Sequence, residues 1–183
     1  MAFPAFIDTC VLFPAALCDT VLRIAETQAF RPLWSGAVMT ELHRNLVKLG
    51  IPSDRVDHRI DQMTQSFPDA MVTGYESLID GMINDHKDRH VVAAAVRAHA
   101  EVIVTFNLKD FPDFALAPFD VAAVHPDDFL LDQLDLYPGL TLHALRAQAA
   151  AHRREPKTVA GVLAMLERCG VPHFAAEVRR HLC

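Results

Sequence analysis

Short apolar runs alternate with longer amphipathic stretches along the chain up to residue 125. Residues 5–7 form an apolar run that stops at Asp8 and Thr9, as a buried parallel strand does at its carboxyl end. Residues 101–105 are rich in β-branched side chains, and residues 121–124 form another short apolar run. We therefore predict strands at these three places and, from their alternation with helices, an α/β fold with a mostly parallel sheet.

Four further stretches carry apolar residues at the spacing of an amphipathic helix. One begins at Pro14, which suits a first helical turn, and another closes before Gly50 and Pro52. The most regular stretch is rich in alanine and valine and begins at Asp88, an acid that can cap a helix. The predicted helices cover residues 14–29, 36–49, 54–66 and 88–100.

After Pro126 the pattern is helical throughout. Short breaks that contain proline separate the apolar stripes. The helices predicted here cover residues 127–136, 140–152, 158–168 and 172–182. We therefore divide the chain into an α/β domain at residues 1–136 and a helical C-terminal extension at residues 137–183.

The composition is that of a folded globular protein. Hydrophobic residues make up 51% of the 183 residues and charged residues 22%, which leaves enough apolar material for a core. We expect no membrane span, because the longest apolar runs are interrupted by charges, and no signal peptide, because no basic residue precedes Arg23. The four cysteines form no CxxC pair, so we expect reduced thiols and a cytoplasmic location.

Charge is distributed unevenly along the chain. Residues 1–135 hold 10 basic and 20 acidic residues, whereas residues 136–183 hold 7 basic and 3 acidic residues. Any attraction for nucleic acid must therefore come from local basic patches, because the chain as a whole carries a net charge of −6. One hypothesis is that the extension contacts RNA or an acidic partner. Its candidate residues are Arg146, Arg153, Arg154 and Lys157.

Common catalytic signatures are absent from the sequence. No GxGxxG motif, P-loop or GxSxG motif occurs. His86 and His90 have the i, i+4 spacing of a zinc pair, but Lys87 stands where a zincin has its glutamate. We therefore interpret both histidines as surface or capping residues.

Four carboxylates occupy positions that can meet at one edge of the predicted sheet. Asp8 ends the first strand, and Asp110 lies five residues beyond Thr105 at the end of a later one. Asp88 begins the helix before that later strand, and Glu41 lies early in another helix. Taken singly, Asp88 could be only a cap and Asp110 only a turn residue. Converging carboxylates repel one another unless a divalent cation joins them, and their hard oxygen ligands suit Mg²⁺ or Mn²⁺.

The same acids lie in four short motifs whose order resembles that of PIN-domain ribonucleases. Within that family the sequence is most similar to the VapC-like toxins of bacterial toxin–antitoxin pairs. The resemblance covers about residues 3–131 and includes the HPDDFL segment at residues 125–130. The motifs are FIDTCVL at 6–12, TEL at 40–42, DRHVVAAA at 88–95 and VTFNLKDFP at 104–112.

This resemblance implies a three-layer α/β/α sandwich and metal-dependent endonucleolytic cleavage of RNA. It also implies a cognate antitoxin protein as partner and a homodimer, with Mg²⁺ or Mn²⁺ as the cofactor. The family pattern carries the acidic metal and catalytic site over to Asp8, Glu41, Asp88 and Asp110, and polar positions around it to Thr9, Thr105 and Asn107.

Two positions depart from the family pattern or compete with it. Cys10 stands where asparagine or serine is usual, which should alter local hydrogen bonding without removing a ligand. Asp85 lies three residues before Asp88 and could be the third acid instead. We prefer Asp88 because it directly precedes Arg89, His90 and the alanine- and valine-rich helix.

Other classes of function remain open from the sequence. The same fold could be a catalytically silent binding module that acts through a protein partner. Phosphoryl-transfer hydrolases with a nucleophilic aspartate usually need a second aspartate two residues later, and that position is Cys10. RNA cleavage that depends on a divalent metal would separate the nuclease from both alternatives.

Overall fold

A five-stranded, all-parallel sheet forms the centre of the protein in the computed structural model, which describes residues 2–152 and 157–182. The strand order is β3-β2-β1-β4-β5. With helices flanking this sheet, the α/β/α fold class predicted from the sequence is confirmed. The strands are β1 (Phe3–Ile7), β2 (Phe30–Ser35), β3 (Met71–Val72), β4 (Val102–Val104) and β5 (Ala122–Val124).

The four helices predicted between these strands lie within a few residues of their predicted bounds, and two short helices at Thr9–Leu12 and Asp113–Leu116 were not predicted. Four short 3-10 turns, at Glu76–Gly81, His86–Asp88, Leu108–Asp110 and Ala117–Phe119, complete the connections. The helices of the α/β part are α1 (Thr9–Leu12), α2 (Ala15–Glu26), α3 (Gly36–Lys48), α4 (Ser53–Ser66), α5 (Arg89–Arg97) and α6 (Asp113–Leu116).

Strands β2 and β3 were not predicted. Pro32 lies inside β2, and proline is rare within a sheet because it cannot donate a ladder hydrogen bond. It is tolerated here because β3 pairs only with Trp34 and Ser35, so Pro32 is bordered by β1 alone. Strand β3 is only two residues long, too short to show a periodic pattern.

The pairing of β1 with β4 brings two polar segments together. Ile7 is in register with Val104, and both are fully buried. The next residues along the chain are Asp8 and Thr105, and the amide of Asp8 donates to the carbonyl of Val104 at 3.1 Å. The carboxyl edge of the sheet therefore carries the polar cluster that the sequence predicted there.

The extension packs on the α/β part through two polar contacts and a shared hydrophobic core. Gln148 accepts a hydrogen bond of 2.6 Å from the Thr20 hydroxyl on α2 and donates one to the carbonyl of Ala16. Residues 153–156, which include Arg153 and Arg154, lie outside the described residues. The C-terminal helices are α7 (Pro126–Leu136), α8 (Pro138–Ala151), α9 (Val159–Arg168) and α10 (Pro172–Leu182).

Two sequence-based expectations concern the thiols and the membrane. Cys10, Cys18 and Cys169 are free thiols, and Cys183 lies outside the described residues. Over residues 2–152 and 157–182, no helix has both the length and the apolar character that a bilayer crossing requires. The predicted domain division falls at Tyr137, between α7 and α8.

Candidate active site

Asp8 is the centre of a buried hydrogen-bond network at the carboxyl end of β1. Its side chain is only 4% exposed. One carboxylate oxygen, Oδ1, accepts the backbone N–H of Thr9 at 2.7 Å. The other, Oδ2, accepts the Thr105 hydroxyl at 2.7 Å and the Cys10 thiol at 3.3 Å. Contacts on both oxygens hold the carboxylate in one orientation.

Cys10 links Asp8 to the loop after β4. Its sulfur accepts the backbone N–H of Phe106 at 3.3 Å while its thiol donates to Asp8. Burial, and next the negative charge of Asp8, raises the pKa of Cys10 to about 12. Cys10 is therefore a protonated donor at neutral pH. The departure from the family pattern keeps a hydrogen-bond donor at this position.

Thr9 joins the first acid to the second. Helix α3 begins after Ser35, whose hydroxyl accepts the Val38 amide and caps it, and places Glu41 in its second turn. The Thr9 hydroxyl donates to Oε2 of Glu41 at 3.1 Å, while the Thr9 amide donates to Asp8. Thr9 is itself 4% exposed and Glu41 is half-buried, so this hydrogen bond lies at the wall of the polar cluster.

Asp88 occupies the N-cap position of α5, but its carboxylate accepts no capping hydrogen bond. The interpretation of Asp88 as a helix cap is therefore wrong, because the side chain is not used by the helix. Burial, followed by the negative charges of Asp8, Asp110, Asp85 and Glu41 in that order, raises the pKa of Asp88 to about 6. Asp88 thus lies within the electric field of every other predicted acid.

A cavity of about 320 Å³ collects most of the predicted residues. Asp88 lines it, whereas Asp85 is exposed and accepts the Lys87 amide at 3.0 Å. Phe13 and Asn45 were not predicted, although Asn45 follows Glu41 by four residues and so shares its helical face. The lining residues are Asp8, Thr9, Cys10, Phe13, Glu41, Asn45, Asp88 and Asn107.

Asp110 and Thr105 do not line this cavity. Thr105 is fully buried behind Asp8. Asp110 ends a 3-10 turn, and its backbone carbonyl accepts the side-chain amide of Asn84 at 3.4 Å. Its carboxylate is close enough to raise the pKa of Asp88. The structure therefore places Asp110 beside the group of three acids that the cavity joins.

His90 lies closer to the acids than the sequence indicated. Its side chain is half-buried on α5, and burial lowers its pKa against the opposing effect of Glu41 and Asp8. Its buried Nδ1 has no hydrogen-bond partner among the residues that the structure describes. The interpretation as a surface or capping residue is wrong for His90, whereas His86 is exposed.

The donor atoms at this edge suit a hydrated divalent cation. Within the described ranges, no three histidine, cysteine or carboxylate side chains are arranged as a complete ligand set for a metal ion. Mg²⁺ keeps several of its waters and binds proteins through one or two carboxylates, so a preformed cage is not required. Mutually repelling carboxylates around a cavity fit that requirement, as the raised pKa of Asp88 indicates.

A larger cavity, of about 920 Å³, lies at the opposite end of the strands from the acids. It is lined by residues at the amino-terminal ends of the strands, among them Pro4, Phe30 and Arg31. None of the four predicted acids lies in it. Size alone would favour this cavity, but the carboxylates and the polar network mark the smaller one as the candidate active site.

Comparisons with known proteins match both parts of the chain. The family model described as "PIN domain" matches residues 4–109, and the model described as "VapC50 C-terminal domain" matches residues 126–180. A curated protein of Mycobacterium tuberculosis (strain ATCC 25618 / H37Rv), named "Putative ribonuclease VapC50", is 53% identical over 111 residues. That alignment covers 61% of this chain and 65% of the relative's own length. No solved structure matches the chain.

Proposed function

The chain belongs to the PIN-domain family, whose model matches more than half of its length, and on that basis we propose that it is a metal-dependent endoribonuclease. Its reaction would be hydrolysis of RNA phosphodiester bonds with Mg²⁺ or Mn²⁺. The observation that carries the proposal is the convergence of Asp8, Glu41 and Asp88 on one cavity. The name of the relative, which includes the word ribonuclease, supports the same activity.

Asp8, Glu41 and Asp88 are the residues that would hold the cation, with Asp110 contributing negative charge from beside the cavity. When bound, a divalent ion lowers the pKa of a coordinated water and neutralises charge on the leaving oxygen. Asp8 would present a fixed oxygen, because Thr9, Cys10 and Thr105 hold its carboxylate. Asp88 carries a proton below about pH 6 and must release it before the site is loaded.

RNA would approach the acids along exposed basic side chains beside them. Lys87 and Lys109 directly precede Asp88 and Asp110 in the sequence, and both are exposed. Lys48 is exposed on α3. It shares a helical face with Glu41 and Asn45, which lie about two turns and one turn before it. Cations that flank an acidic metal site can bind the phosphates on either side of the cleaved bond, which would offset the net charge of −6.

The extension was predicted to contact RNA or an acidic partner. Arg146 is exposed on α8 and agrees with either role. By contrast, Arg179 and Arg180 on α10 form ion pairs with Glu167 and Glu177. These pairs use part of the positive charge of the extension within the extension itself.

We further propose that the protein is the toxin of a toxin–antitoxin pair and binds a cognate antitoxin protein. This rests on the PIN domain together with the matched VapC50 C-terminal domain. A homodimer, which the family resemblance implies, and a cytoplasmic location, which the cysteine pattern indicates, stay predictions. Copurification of the protein with a small protein encoded by a neighbouring gene would test the partner.

Cleavage of single-stranded RNA by the purified full-length chain distinguishes the nuclease from the silent binding module. The nuclease is expected to cleave with Mg²⁺ or Mn²⁺, to stop when EDTA is added in excess, and to recover when the cation is restored. A binding module would leave the RNA intact under all three conditions, including in the presence of the cation.

A further inference from the structure

The turn between α9 and α10 packs directly on the loop that follows β4. Gly170 lies in this turn with φ of +91°, a conformation that L side chains rarely adopt. A Cβ atom at Gly170 would lie 3.0 Å from Cε1 of Phe106 and 3.5 Å from its Cζ. Carbon atoms pack best at about 3.5–4.0 Å, so a side chain at this position would push the Phe106 ring away, and the backbone conformation itself favours glycine.

Phe106 connects that turn to the candidate active site. It stands between Thr105, which donates to Asp8, and Asn107, which lines the acidic cavity. Its backbone N–H donates to the Cys10 sulfur at 3.3 Å, and Cys10 in turn donates to Asp8. On another side its ring meets His125 edge-on, with centroids 5.0 Å apart. The ring is thus held between the extension and the loop before α7.

The turn itself is firmly held. Val171 and Phe174, on either side of the start of α10, are fully buried. Asp127 on α7 is 3% exposed, and its carboxylate accepts the backbone N–H groups of His173 at 3.0 Å and Phe174 at 2.7 Å. Because α10 is fixed to α7 in this way, the position of Gly170 is set by the packing of the extension and not by a free loop.

We propose that the C-terminal extension is a positioning element of the active site, with Gly170 and Phe106 as its positioning residues. The turn at Gly170 holds Phe106, and Phe106 fixes the loop that begins with Thr105, a donor to Asp8. The backbone N–H of Phe106 also holds the sulfur of Cys10 on α1, the other side-chain donor to Asp8. This inference rests on the proposed function, because it concerns the ability of Asp8 to bind a divalent cation. In this role the extension supports metal binding at the active site without contacting RNA itself.

The test compares two glycines that share a backbone conformation but differ in their surroundings. Gly50 has φ of +94° and nothing within 4 Å of a built Cβ, whereas Gly170 has φ of +91° and faces Phe106. Gly170→Ala and Gly50→Ala therefore carry the same backbone strain, and only the first also displaces the Phe106 ring. The readouts are the Mn²⁺ dissociation constant, measured by the free-Mn²⁺ electron paramagnetic resonance signal, and kcat and KM for RNA cleavage.

Gly170→Ala is expected to weaken Mn²⁺ binding by about tenfold or more, the usual effect of losing an outer-shell contact to a metal site. Its kcat should fall as well, while KM for RNA stays close to that of the wild type. Gly50→Ala is expected to bind Mn²⁺ and cleave RNA as the wild type does. Both variants should show a decrease in melting temperature from the shared backbone strain, and the decrease should be larger for Gly170→Ala because it also displaces the Phe106 ring.

A second variant keeps the test decisive if Gly170→Ala does not fold. Phe106→Leu replaces the ring with a smaller side chain and causes no backbone strain at Gly170. It should also weaken Mn²⁺ binding. The double variant should bind Mn²⁺ no more weakly than Phe106→Leu alone, because the shorter side chain leaves room for the new Cβ.

Two results separate the failure of this inference from the failure of the proposed function. If the wild type binds Mn²⁺ and cleaves RNA but Gly170→Ala and Phe106→Leu do both equally well, the inference is overturned and the nuclease stands. If the wild type neither binds Mn²⁺ nor cleaves RNA, the proposed function fails, and the inference fails with it.

Discussion

The hydroxyl of Thr105 donates a hydrogen bond of 2.7 Å to Oδ2 of Asp8, although the two residues are 97 positions apart in the chain. Both side chains are buried, and the contact exists because β1 and β4 are parallel neighbours with Ile7 opposite Val104. A hydrogen bond to a buried carboxylate fixes the orientation of its oxygens and stabilises its charge. The sheet therefore orients the first acid of the candidate active site.

Replacing Thr105 with valine removes this donor and keeps the shape of the side chain. We expect Thr105→Val to weaken Mn²⁺ affinity and RNA cleavage by about 10- to 100-fold, because a contact that orients a metal ligand is lost. Thr105→Ser retains the hydroxyl and is the matched control, which should stay near wild type in both measurements. Equal Mn²⁺ affinity of the valine and serine variants would show that Thr105 does not orient Asp8.

Asp88 and Asp85 are separated by a comparison of their asparagine variants. Asp88 lines the cavity and Asp85 is exposed outside it. We expect Asp88→Asn to abolish metal-dependent cleavage and Asp85→Asn to leave most of it, since only the first removes a carboxylate from the cavity. RNA cleavage by both variants is measured by gel electrophoresis, and circular dichroism checks that both are folded. The opposite pattern would make Asp85 the third acid.

The pH dependence of stability follows from the pKa of Asp88, which is raised from 3.8 to about 6 in the metal-free protein. The folded state then binds this proton more tightly than the unfolded state does, which stabilises the folded state. The contribution is fully present below pH 3.8 and is lost as the pH rises through about 6. The melting temperature of the metal-free wild type should therefore decrease relative to Asp88→Asn as the pH rises across this range.

Cation binding should show the opposite pH dependence. A cation competes with the proton on Asp88, so the Mn²⁺ affinity of the wild type is expected to decrease as the pH falls below about 6. Calorimetric titrations in buffers of different ionisation enthalpy measure the protons released on binding. A Mn²⁺ affinity that does not change between about pH 5 and about pH 7 would contradict the role of Asp88 as a ligand.

The proposed RNA path predicts that RNA binding depends on basic residues at the carboxyl ends of the strands and not on those at the amino ends. Lys48→Gln and Lys109→Gln should each raise KM for RNA and reduce the slope of log affinity against log salt by about 0.7, as expected for one lost contact to single-stranded nucleic acid. Arg31→Gln is the matched control, since Arg31 lies at the opposite edge, beside the larger cavity. An Arg31 effect as large as that of Lys48 would place the RNA elsewhere.

Strands that consist of one continuous apolar run could be predicted from the local sequence pattern. Strand β1 is an unbroken apolar run followed by Asp8, so its type and its polar end are both visible in the sequence. Strand β2 was missed because Arg31 and Pro32 interrupt its apolar residues, and its place in the sheet depends on pairing with β1. The strand conformation of these residues therefore depends on tertiary pairing, which local residue propensities do not indicate.

The surroundings of the acids could not be predicted for the same reason. His90 was assigned to the surface because its spacing from His86 matched no complete metal motif. Its half-buried position beside Glu41 and Asp8 follows from the packing of α5 against the sheet. The contact between Gly170 and Phe106 joins the two parts of the chain, and neither residue carries a sequence signal for the other.

Cleavage of RNA by the wild type and by Asp8→Asn, measured side by side with Mg²⁺ present, tests the central claim most directly. Asp8→Asn keeps the size of the side chain, and Asp19→Asn, which changes a carboxylate on α2 outside the acidic cavity, serves as the matched control. We predict that the wild type and Asp19→Asn cleave and that EDTA stops both, while folded Asp8→Asn does not cleave. Full cleavage by folded, nuclease-free Asp8→Asn protein would contradict the account.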